Sequence, residues 1–216
     1  MKSFQVDING QSWYLLPEKA IYWKEKSTLI LSDIHLGKSG HFRKSGIPAP
    51  SGINDDNQAR MATLIKQHKP DRLLILGDLF HSSVNREWFQ FEEWRNRFPE
   101  LHIHLVKGNH DSLHSSFYDR AEIMVSDVHQ EEGFCFKHHP TAQKSEKEMI
   151  VAGHLHPGIK LSGKGRQSLR LPCFVFRNST IILPAFGTFT GLHLIEKENE
   201  LDIYAVVEDR VLKIKP

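Results

Sequence analysis

Residues 28–39 read TLILSDIHLGKS, an apolar run that passes directly into an aspartate and a histidine. The apolar run predicts a buried strand that ends at Asp33. Two interpretations of the polar residues are open. The Gly-Lys-Ser triplet at 37–39 is typical of the end of a phosphate-binding loop, whereas Asp33 with His35 is typical of half a metal site.

The phosphate-binding loop is the weaker interpretation. Its pattern, G-x-x-x-x-G-K-[ST], requires a glycine at position 32, where the chain has Ser32. Such a loop also opens a helix, yet residues 45–50 read SGIPAP, which indicates irregular chain. The metal interpretation requires partners, because a lone D-x-H arises by chance as a strand-end carboxylate beside a surface histidine.

Further metal-capable residues follow the ends of other predicted strands. The strand-like runs are RLLIL at 72–76, HIHLV at 102–106, GFCFK at 133–137 and MIVA at 149–152, and the motifs after them are Gly77-Asp78, GNHD at 108–111, HHP at 138–140 and GHLHP at 153–157. In open α/β sheets this edge binds ligands, and carboxylates with imidazoles suit Mn²⁺, Fe or Zn²⁺. Residues two apart on an extended strand end point to one side, which would align Asp33 with His35 and His154 with His156.

Each motif taken singly has a purely structural explanation. Asp78 could cap a helix, Asn109 could make an Asx turn, and His154 could be a packed core histidine. Five such motifs in this order along one chain predict a shared metal centre instead.

The remaining patterns predict a single α/β domain, residues 1–216. A helical pattern begins at 54–56 and ends at about Lys69. An aromatic stripe at 88–98 predicts a second helix, whose stripe packs on a sheet rather than forming a binding face. After Ala121 the pattern is mostly β. We therefore expect a sheet core of two layers with helices outside.

Composition adds few constraints. The 216 residues carry a net charge of +2, which favours no class of partner. Cys135 and Cys173 lie in apolar runs without a CxxC pair, so we expect buried, reduced thiols. No apolar run approaches the length of a membrane span. We expect a cytoplasmic protein without membrane contact.

The ordered motifs D-x-H, G-D, G-N-H-D, H and G-H-x-H, spread over residues 33–156, resemble those of the calcineurin-like metallophosphoesterase superfamily. The surrounding stretches SDIHLGKSGHFRKSGIPAP and LLILGDLFHS are similar to bacterial DNA-ligase-associated metallophosphoesterases, small members that accompany a DNA ligase and a helicase in a repair group. The resemblance implies a four-layer αββα sandwich that hydrolyses phosphodiester bonds. It also implies nucleic acid as substrate, with DNA ligase and helicase as functional partners.

The resemblance further implies a centre of two metals, with two Mn²⁺ expected and Fe or Zn²⁺ possible. The implied ligands are Asp33, His35, Asp78 and His156 for the first metal and Asp78, Asn109, His138 and His154 for the second, with Asp78 as the bridge. His110 would face the substrate and either protonate the leaving oxygen or stabilise the transition state. The choice between His138 and His139 is open, although the H-x-P pattern of related enzymes favours His138. We expect Asp111 to orient the loop or His110 rather than to bind metal.

The substrate is less constrained by the sequence. Lys38 and Arg43 stand just beyond the first ligands and could contact phosphate, whereas for the later basic stretch of Lys160, Lys164, Arg166 and Arg170 ordinary solvated charge is the simpler explanation. His81 occupies a region where protein phosphatases of the superfamily carry an aspartate and an arginine, and it could touch substrate or be structural. Three hypotheses follow: a Mn²⁺-dependent DNA-repair endonuclease or phosphodiesterase, an enzyme for small phosphoesters, and an inactive scaffold. The complete ligand set argues against the scaffold.

Overall fold

The structure, a computed structural model, describes residues 2–38, 53–80, 86–140, 148–163, 167–196 and 201–214. Within these residues the chain forms two β-sheets and three α-helices: α1 (Ile53–His68), α2 (Arg86–Arg95) and α3 (Ser115–Arg120). None of the helices in these ranges is long and apolar enough to cross a membrane.

The first sheet orders its strands as they occur in the chain: β1 (Phe4–Ile8), β2 (Gln11–Leu16), β3 (Ala20–Trp23), β4 (Thr28–Leu31), β5 (Arg72–Leu76), β6 (His102–Val106) and β7 (Ile123–Ser126). Strands β1 to β4 pair antiparallel, and β4 to β7 pair parallel. The three helices lie in the connections between the parallel strands, because parallel neighbours require a crossover. The strands predicted from TLIL, RLLIL and HIHLV are confirmed, as are the two predicted helices.

The second sheet is built from the C-terminal half: β8 (His129–Glu131), β9 (Phe134–Lys137), β10 (Met149–Ala152), β11 (Pro157–Ser162), β12 (Ser168–Arg177), β13 (Thr180–Ile182), β14 (His193–Leu194), β15 (Leu201–Val207) and β16 (Arg210–Ile214). Its order is β14-β11-β12-β13-β10-β9-β8, and off this path β15 pairs with β12 and β16 pairs with β15. Strand β10 runs parallel to β9 and β13, so the carboxyl ends of β9 and β10 share one edge.

Apolar side chains hold the layers together. Trp13 and Leu74 of the first sheet meet Phe136 of the second in a buried cluster between the sheets. The opposite face of the first sheet packs on the helices, where Trp88 and Phe91 are buried, so the aromatic stripe is core as predicted. The α/β sandwich is confirmed. Among the described residues its layers are helices, first sheet and second sheet, and the outer face of the second sheet has its own apolar cluster.

The antiparallel strands β1 to β3 were not among the predicted elements. The sequence does carry a local signal for the β1–β2 hairpin, which is the Asn9-Gly10 pair between the two strands. Both residues have positive φ in the structure, 51° and 74°. Asn-Gly is the preferred pair for such a two-residue hairpin turn. The two cysteines are free and buried, as expected.

Candidate metal centre

The predicted site residues lie on loops that leave the carboxyl ends of strands in both sheets. The loops after β4 and β5 run side by side, because the Asp33 N–H donates to the Gly77 carbonyl (3.1 Å) and the His35 N–H donates to the Asp78 carbonyl (2.9 Å). The loops after β9 and β10 are joined in the same way, by the Gly153 N–H and the His138 carbonyl at 3.1 Å. The parallel ladders therefore continue into the loops and bring the motifs together.

Five predicted ligands have a left-handed backbone. The φ values are 53° at Asp33, 52° at His35, 53° at Asp78, 68° at His154 and 48° at His156. Such residues cost about 1–3 kcal/mol each and concentrate at functional sites. The side chains of Asp33 and His35 do converge, but the expected reason, alternation along an extended strand end, is wrong. β4 ends at Leu31, and the two residues project from a twisted loop.

The glycines of the motifs are required by close approach. A Cβ on Gly77 would lie 2.2 Å from His138 Nδ1, and one on Gly108 would lie 2.3 Å from Asp78 Oδ1. A Cβ on Gly153 would lie 2.6 Å from Asp33 Oδ2. Any side chain at these positions would displace a predicted ligand.

The predicted ligands form two groups around Asp78. The first group contains Asp33, His35 and His156, whose ligand atoms lie within 4.8 Å of one another. Within it, His156 Nε2 lies 3.2 Å from Asp33 Oδ1. The other oxygen of Asp33 accepts the backbone N–H of His154 at 2.9 Å, which fixes the carboxylate.

The second group consists of Asn109, His138 and His154. His138 Nε2 lies 3.1 Å from the Asn109 amide oxygen and 3.1 Å from His154 Nδ1. On the far side of its ring, His138 Nδ1 lies 2.9 Å from the Leu76 carbonyl. A carbonyl there fixes the Nδ1–H tautomer, which leaves the Nε2 lone pair directed at the group.

Asp78 stands between the two groups. Its Oδ2 lies 3.7 Å from His35 Nε2 and 3.5 Å from His138 Nε2, while Oδ1 accepts the His110 N–H at 3.0 Å. The side chain is buried, with 2% of its surface exposed. One carboxylate oxygen thus faces both groups, which is the geometry that a bridging ligand requires.

The ionisation states suit cation binding. Burial, followed by the charge of Lys38, lowers the pKa of His35 to about 3, so the imidazole is neutral at pH 7. Burial opposes ionisation of Asp33, but the hydrogen bond and charge of His156 nevertheless hold the pKa of this carboxyl below its usual value. Burial, followed by the charges of His139 and His138, also lowers the pKa of His154. Neutral imidazoles beside ionised carboxylates are the forms that bind metal.

A family model, the calcineurin-like phosphoesterase, matches residues 26–173 of the chain. The chain belongs to this family. The superfamily resemblance inferred from the motifs is therefore confirmed. No curated protein matches the chain significantly.

Among solved structures, the chain is similar to a nuclease of Pseudomonas putida, MPE, with 31% identity and a TM-score of 0.83. The similarity covers 99% of this chain and 100% of that one, and it supports the closer resemblance to small single-domain members of the family. A more distant likeness, to the phosphoesterase Yfce of E. coli, has 15% identity and a TM-score of 0.45 and covers 87% of this chain and 97% of that one.

Within this calcineurin-like centre, the geometry favours His138 over His139. His138 is buried, 2% exposed, and its Nε2 faces Asp78 and Asn109. His139 is exposed, and its ring contacts that of His154 at a tilt, with centroids 4.0 Å apart. It also belongs to a metal-capable group with His138 and His154. His138 Nε2 is therefore directed at the centre while Nδ1 is held by the Leu76 carbonyl, whereas His139 lies at the rim.

The residues predicted to contact substrate are only partly described. The His110 ring lies beside that of His35, with centroids 5.4 Å apart. Lys38 is half-buried, and burial lowers its pKa while the charges of Asp78 and Asp33 oppose this. His81 and Arg43 lie outside the described residues. The structure thus brings His110 and Lys38 to the same centre as the predicted ligands.

Asp111 supports the loops that carry Asp78 and Asn109. Its Oδ2 accepts the N–H groups of Asp78 (2.7 Å) and Gly108 (2.9 Å), and its Oδ1 accepts those of Leu79 (2.9 Å) and Phe80 (3.2 Å). This arrangement confirms the expectation that Asp111 orients the loop. With both oxygens occupied by N–H donors, it is not oriented as a ligand.

The sequence did not reveal the support of the first group. The Gly187 N–H donates to the Asp33 carbonyl (3.1 Å), and the Phe186 N–H donates to the Ser32 carbonyl (2.8 Å). From α1, Asn57 Nδ2 donates to the Ile34 carbonyl at 3.3 Å. The only sequence signal was Gly187 itself, where a Cβ would lie 2.6 Å from the Ile34 carbonyl oxygen.

Proposed function

We propose that the protein is a metal-dependent phosphodiesterase that cleaves nucleic acid, with two Mn²⁺ as its cofactors, in the cytoplasm. The observation that carries the proposal is the position of Asp78 Oδ2, 3.7 Å from His35 Nε2 and 3.5 Å from His138 Nε2. One oxygen between two groups of imidazole and oxygen donors fits a dinuclear centre of the calcineurin-like family.

The residues of this chain divide the work as follows. Asp33, His35 and His156 would hold the first metal, Asn109, His138 and His154 the second, and Asp78 both. When bound, two divalent cations neutralise the phosphate and activate water for in-line displacement. His110 would donate a proton to the leaving oxygen, and its backbone N–H, 3.0 Å from Asp78 Oδ1, holds the residue beside the centre. Lys38 would contact a phosphate oxygen next to the bond that breaks.

The substrate class rests on similarity. The P. putida structure that the chain resembles over nearly its whole length is that of a nuclease. The 31% identity over 99% of this chain and 100% of that one supports a shared substrate class. The half-buried Lys38 beside two carboxylates would suit a phosphate group that arrives with its own negative charge.

The direct test compares two substrates. The metal-free protein is reconstituted with Mn²⁺, Fe²⁺ or Zn²⁺ and incubated with supercoiled plasmid and, separately, with a chromogenic bis-phosphodiester. We expect cleavage of both, fastest with Mn²⁺, and none with Asp78→Asn or with EDTA. Hydrolysis of the chromogenic ester without any nicking would contradict the nucleic-acid substrate and favour an enzyme for small phosphoesters. No hydrolysis of either substrate would contradict the phosphodiesterase itself.

The resemblance to ligase-associated enzymes extends the proposal to DNA repair in concert with a ligase and a helicase. The purified protein should co-elute with the ligase or the helicase of the same organism in size-exclusion chromatography. Separate elution at micromolar concentrations would contradict physical contact and leave the phosphodiesterase proposal standing.

A further inference from the structure

The hairpin of β11 and β12 begins directly after the last predicted ligand. β11 starts at Pro157, next to His156, and leads away from the centre as an antiparallel pair with β12. The register places Lys160 opposite Arg170 and Ser162 opposite Ser168. Residues opposite each other in a ladder point to the same side of the sheet.

These four residues, Lys160, Ser162, Ser168 and Arg170, form one solvent-exposed surface, which we call the hairpin face. The alternate residues point to the other side, where Ile159 and Leu171 are buried in the outer apolar cluster. The hairpin is thus anchored by one face and presents one ammonium group, one guanidinium group and two hydroxyls on the other.

The charges on the hairpin face are of one sign. Like charges directly opposite in a ladder destabilise it, and Lys160 and Arg170 are such a pair. The strands β11, β12 and β14 contain no aspartate or glutamate, and the acidic residue nearest to them in the chain is the exposed Glu196, two positions after β14 on the Lys160 side of the hairpin. A bound polyanion would offset this repulsion, whereas ordinary solvated charge gives no reason for the pairing.

The hairpin face is also close to the predicted reaction. Lys160 follows His156 by four residues, so their Cα atoms are at most about 14 Å apart. A nucleic-acid strand that enters the centre would pass within a few nucleotides of this surface. Lysine, arginine and serine are among the side chains that contact phosphate oxygens.

We propose that the hairpin face binds the phosphate backbone of the nucleic-acid strand beside the bond that is cleaved. This inference rests on the proposed function. It assigns the hairpin the task of holding a long substrate, and it predicts that a small phosphoester does not use the hairpin at all.

The test separates binding from chemistry. Three proteins are compared: the native chain, the hairpin variant Lys160→Gln/Arg170→Gln and the control variant Lys66→Gln/Arg97→Gln. Each is titrated in EDTA into a fluorescent single-stranded oligonucleotide at several salt concentrations. Lys66 and Arg97 are exposed and precede β5 and β6, at the opposite edge of the first sheet. Each double variant removes the same two charges. Hydrolysis of the chromogenic bis-phosphodiester with Mn²⁺ is measured in parallel.

We expect the hairpin variant to bind more weakly and to lower the slope of log K against log salt by about 1.4, or 0.7 for each lost phosphate contact. The control variant should keep the native slope, and all three proteins should hydrolyse the small ester equally. Equal oligonucleotide binding by native and hairpin variant overturns the inference, as does equal weakening by both variants. A native protein that binds no oligonucleotide in EDTA overturns the hairpin inference alone, because the cations that would hold the reacting phosphate are then absent. Hydrolysis of the ester without plasmid nicking in the presence of metal contradicts the proposed nucleic-acid substrate.

Discussion

Both ligand groups contain left-handed backbone, at all three ligands of the first group but only at His154 in the second, and they are supported in different ways. On the side of the second group, one buried carboxylate, Asp111, accepts four backbone N–H groups from the loops after β5 and β6. On the side of the first group, three separate donors hold the loop after β4: the N–H groups of Phe186 and Gly187 and the side chain of Asn57.

This difference predicts how a substitution in each support should affect metal binding and stability. A concentrated support fails completely when one side chain is lost, because several buried donors lose their acceptor together. When several separate hydrogen bonds hold a loop, the loss of one of them should weaken the ligand geometry only partly, because the others remain. Substitutions can therefore distinguish the two halves of the centre even though both halves present similar ligands.

The largest effect is expected from Asp111→Ala. Four buried N–H groups lose their acceptor, so the free energy of unfolding should fall by on the order of 4 kcal/mol. Urea denaturation measures this loss, and Mn²⁺ binding should weaken strongly because Asp78 and Asn109 lose their loop geometry. Asp119→Ala removes an exposed carboxylate from α3 as a control and should change little. A stable Asp111→Ala protein with native Mn²⁺ affinity would show that the loops do not depend on this carboxylate.

The next effect, His110→Ala, should separate chemistry from support. The variant keeps the backbone N–H that donates to Asp78 Oδ1, so Mn²⁺ affinity should stay native. The loss of a proton donor should lower kcat by about 10²–10⁴-fold. Calorimetric Mn²⁺ titration and initial rates on the chromogenic ester measure the two quantities, with the exposed His102 changed to Ala as the control. Native kcat in His110→Ala would contradict its assignment as the catalytic acid.

Much of this centre could be predicted from the sequence, because its chemistry is carried by local motifs. The runs that end at Asp33, Gly77 and Gly153 indicate strands, and parallel strands bring their ends to one edge. The left-handed backbone at Asp33 and His35 could not be predicted. It is associated with hydrogen bonds to the Gly77 and Asp78 carbonyls, more than forty positions away in the chain.

The hydrogen bonds that hold the first group could not be predicted either, because they also join residues that are far apart in the chain. Asn57 lies in α1 and Gly187 follows β13, and neither belongs to a motif. Only the folded chain brings the Asn57 side chain to the Ile34 carbonyl, at 3.3 Å. Asp111 was easier to anticipate, because it stands within the G-N-H-D motif whose loop it holds.

A smaller effect is expected on the pH dependence of the free energy of unfolding. This dependence must be known before a loss of metal at low pH is assigned to either ligand group. His104 on β6 is buried, 6% exposed, next to His129. Burial, and then the charges of His129 and Arg72, lower its pKa from 6.5 to about 4. Between these values the unfolded chain binds more protons than the folded one, so the free energy of unfolding falls as pH falls from 6.5 towards 4.

For His104 alone, the loss between pH 7 and pH 5 should be roughly 2 kcal/mol. His104→Asn should reduce the acid-induced loss by about that amount, as measured by urea denaturation of the metal-free protein at both pH values. His102→Asn, on the same strand but exposed, should leave the loss unchanged. Identical pH dependence in native protein and His104→Asn would show that this histidine does not set the acid response.

The smallest effect, and the one that most directly tests the distributed support, is expected from Asn57→Ala. Asn57 is buried, 1% exposed, and links α1 to two loops: its Nδ2 donates to the Ile34 carbonyl, and its Oδ1 accepts the Thr188 N–H at 3.2 Å. Because Phe186 and Gly187 still hold the loop, we expect only about a tenfold loss of Mn²⁺ affinity, near the low end for residues that orient ligands. The loss should be confined to one of the two sites in a calorimetric titration.

A matched control for Asn57→Ala lies on the same helix. Thr63→Ala removes a side-chain hydrogen bond to the Ala59 carbonyl (2.9 Å) but touches neither loop, so both Mn²⁺ sites should keep native affinity. A general loss of stability in Asn57→Ala would weaken both sites together, whereas loss of a positioning contact weakens only the site that contains Asp33 and His35. Equal weakening of the two sites would therefore show that Asn57 acts as a packing residue. The first group would then be held by Phe186, Gly187 and the hydrogen bonds to the loop after β5.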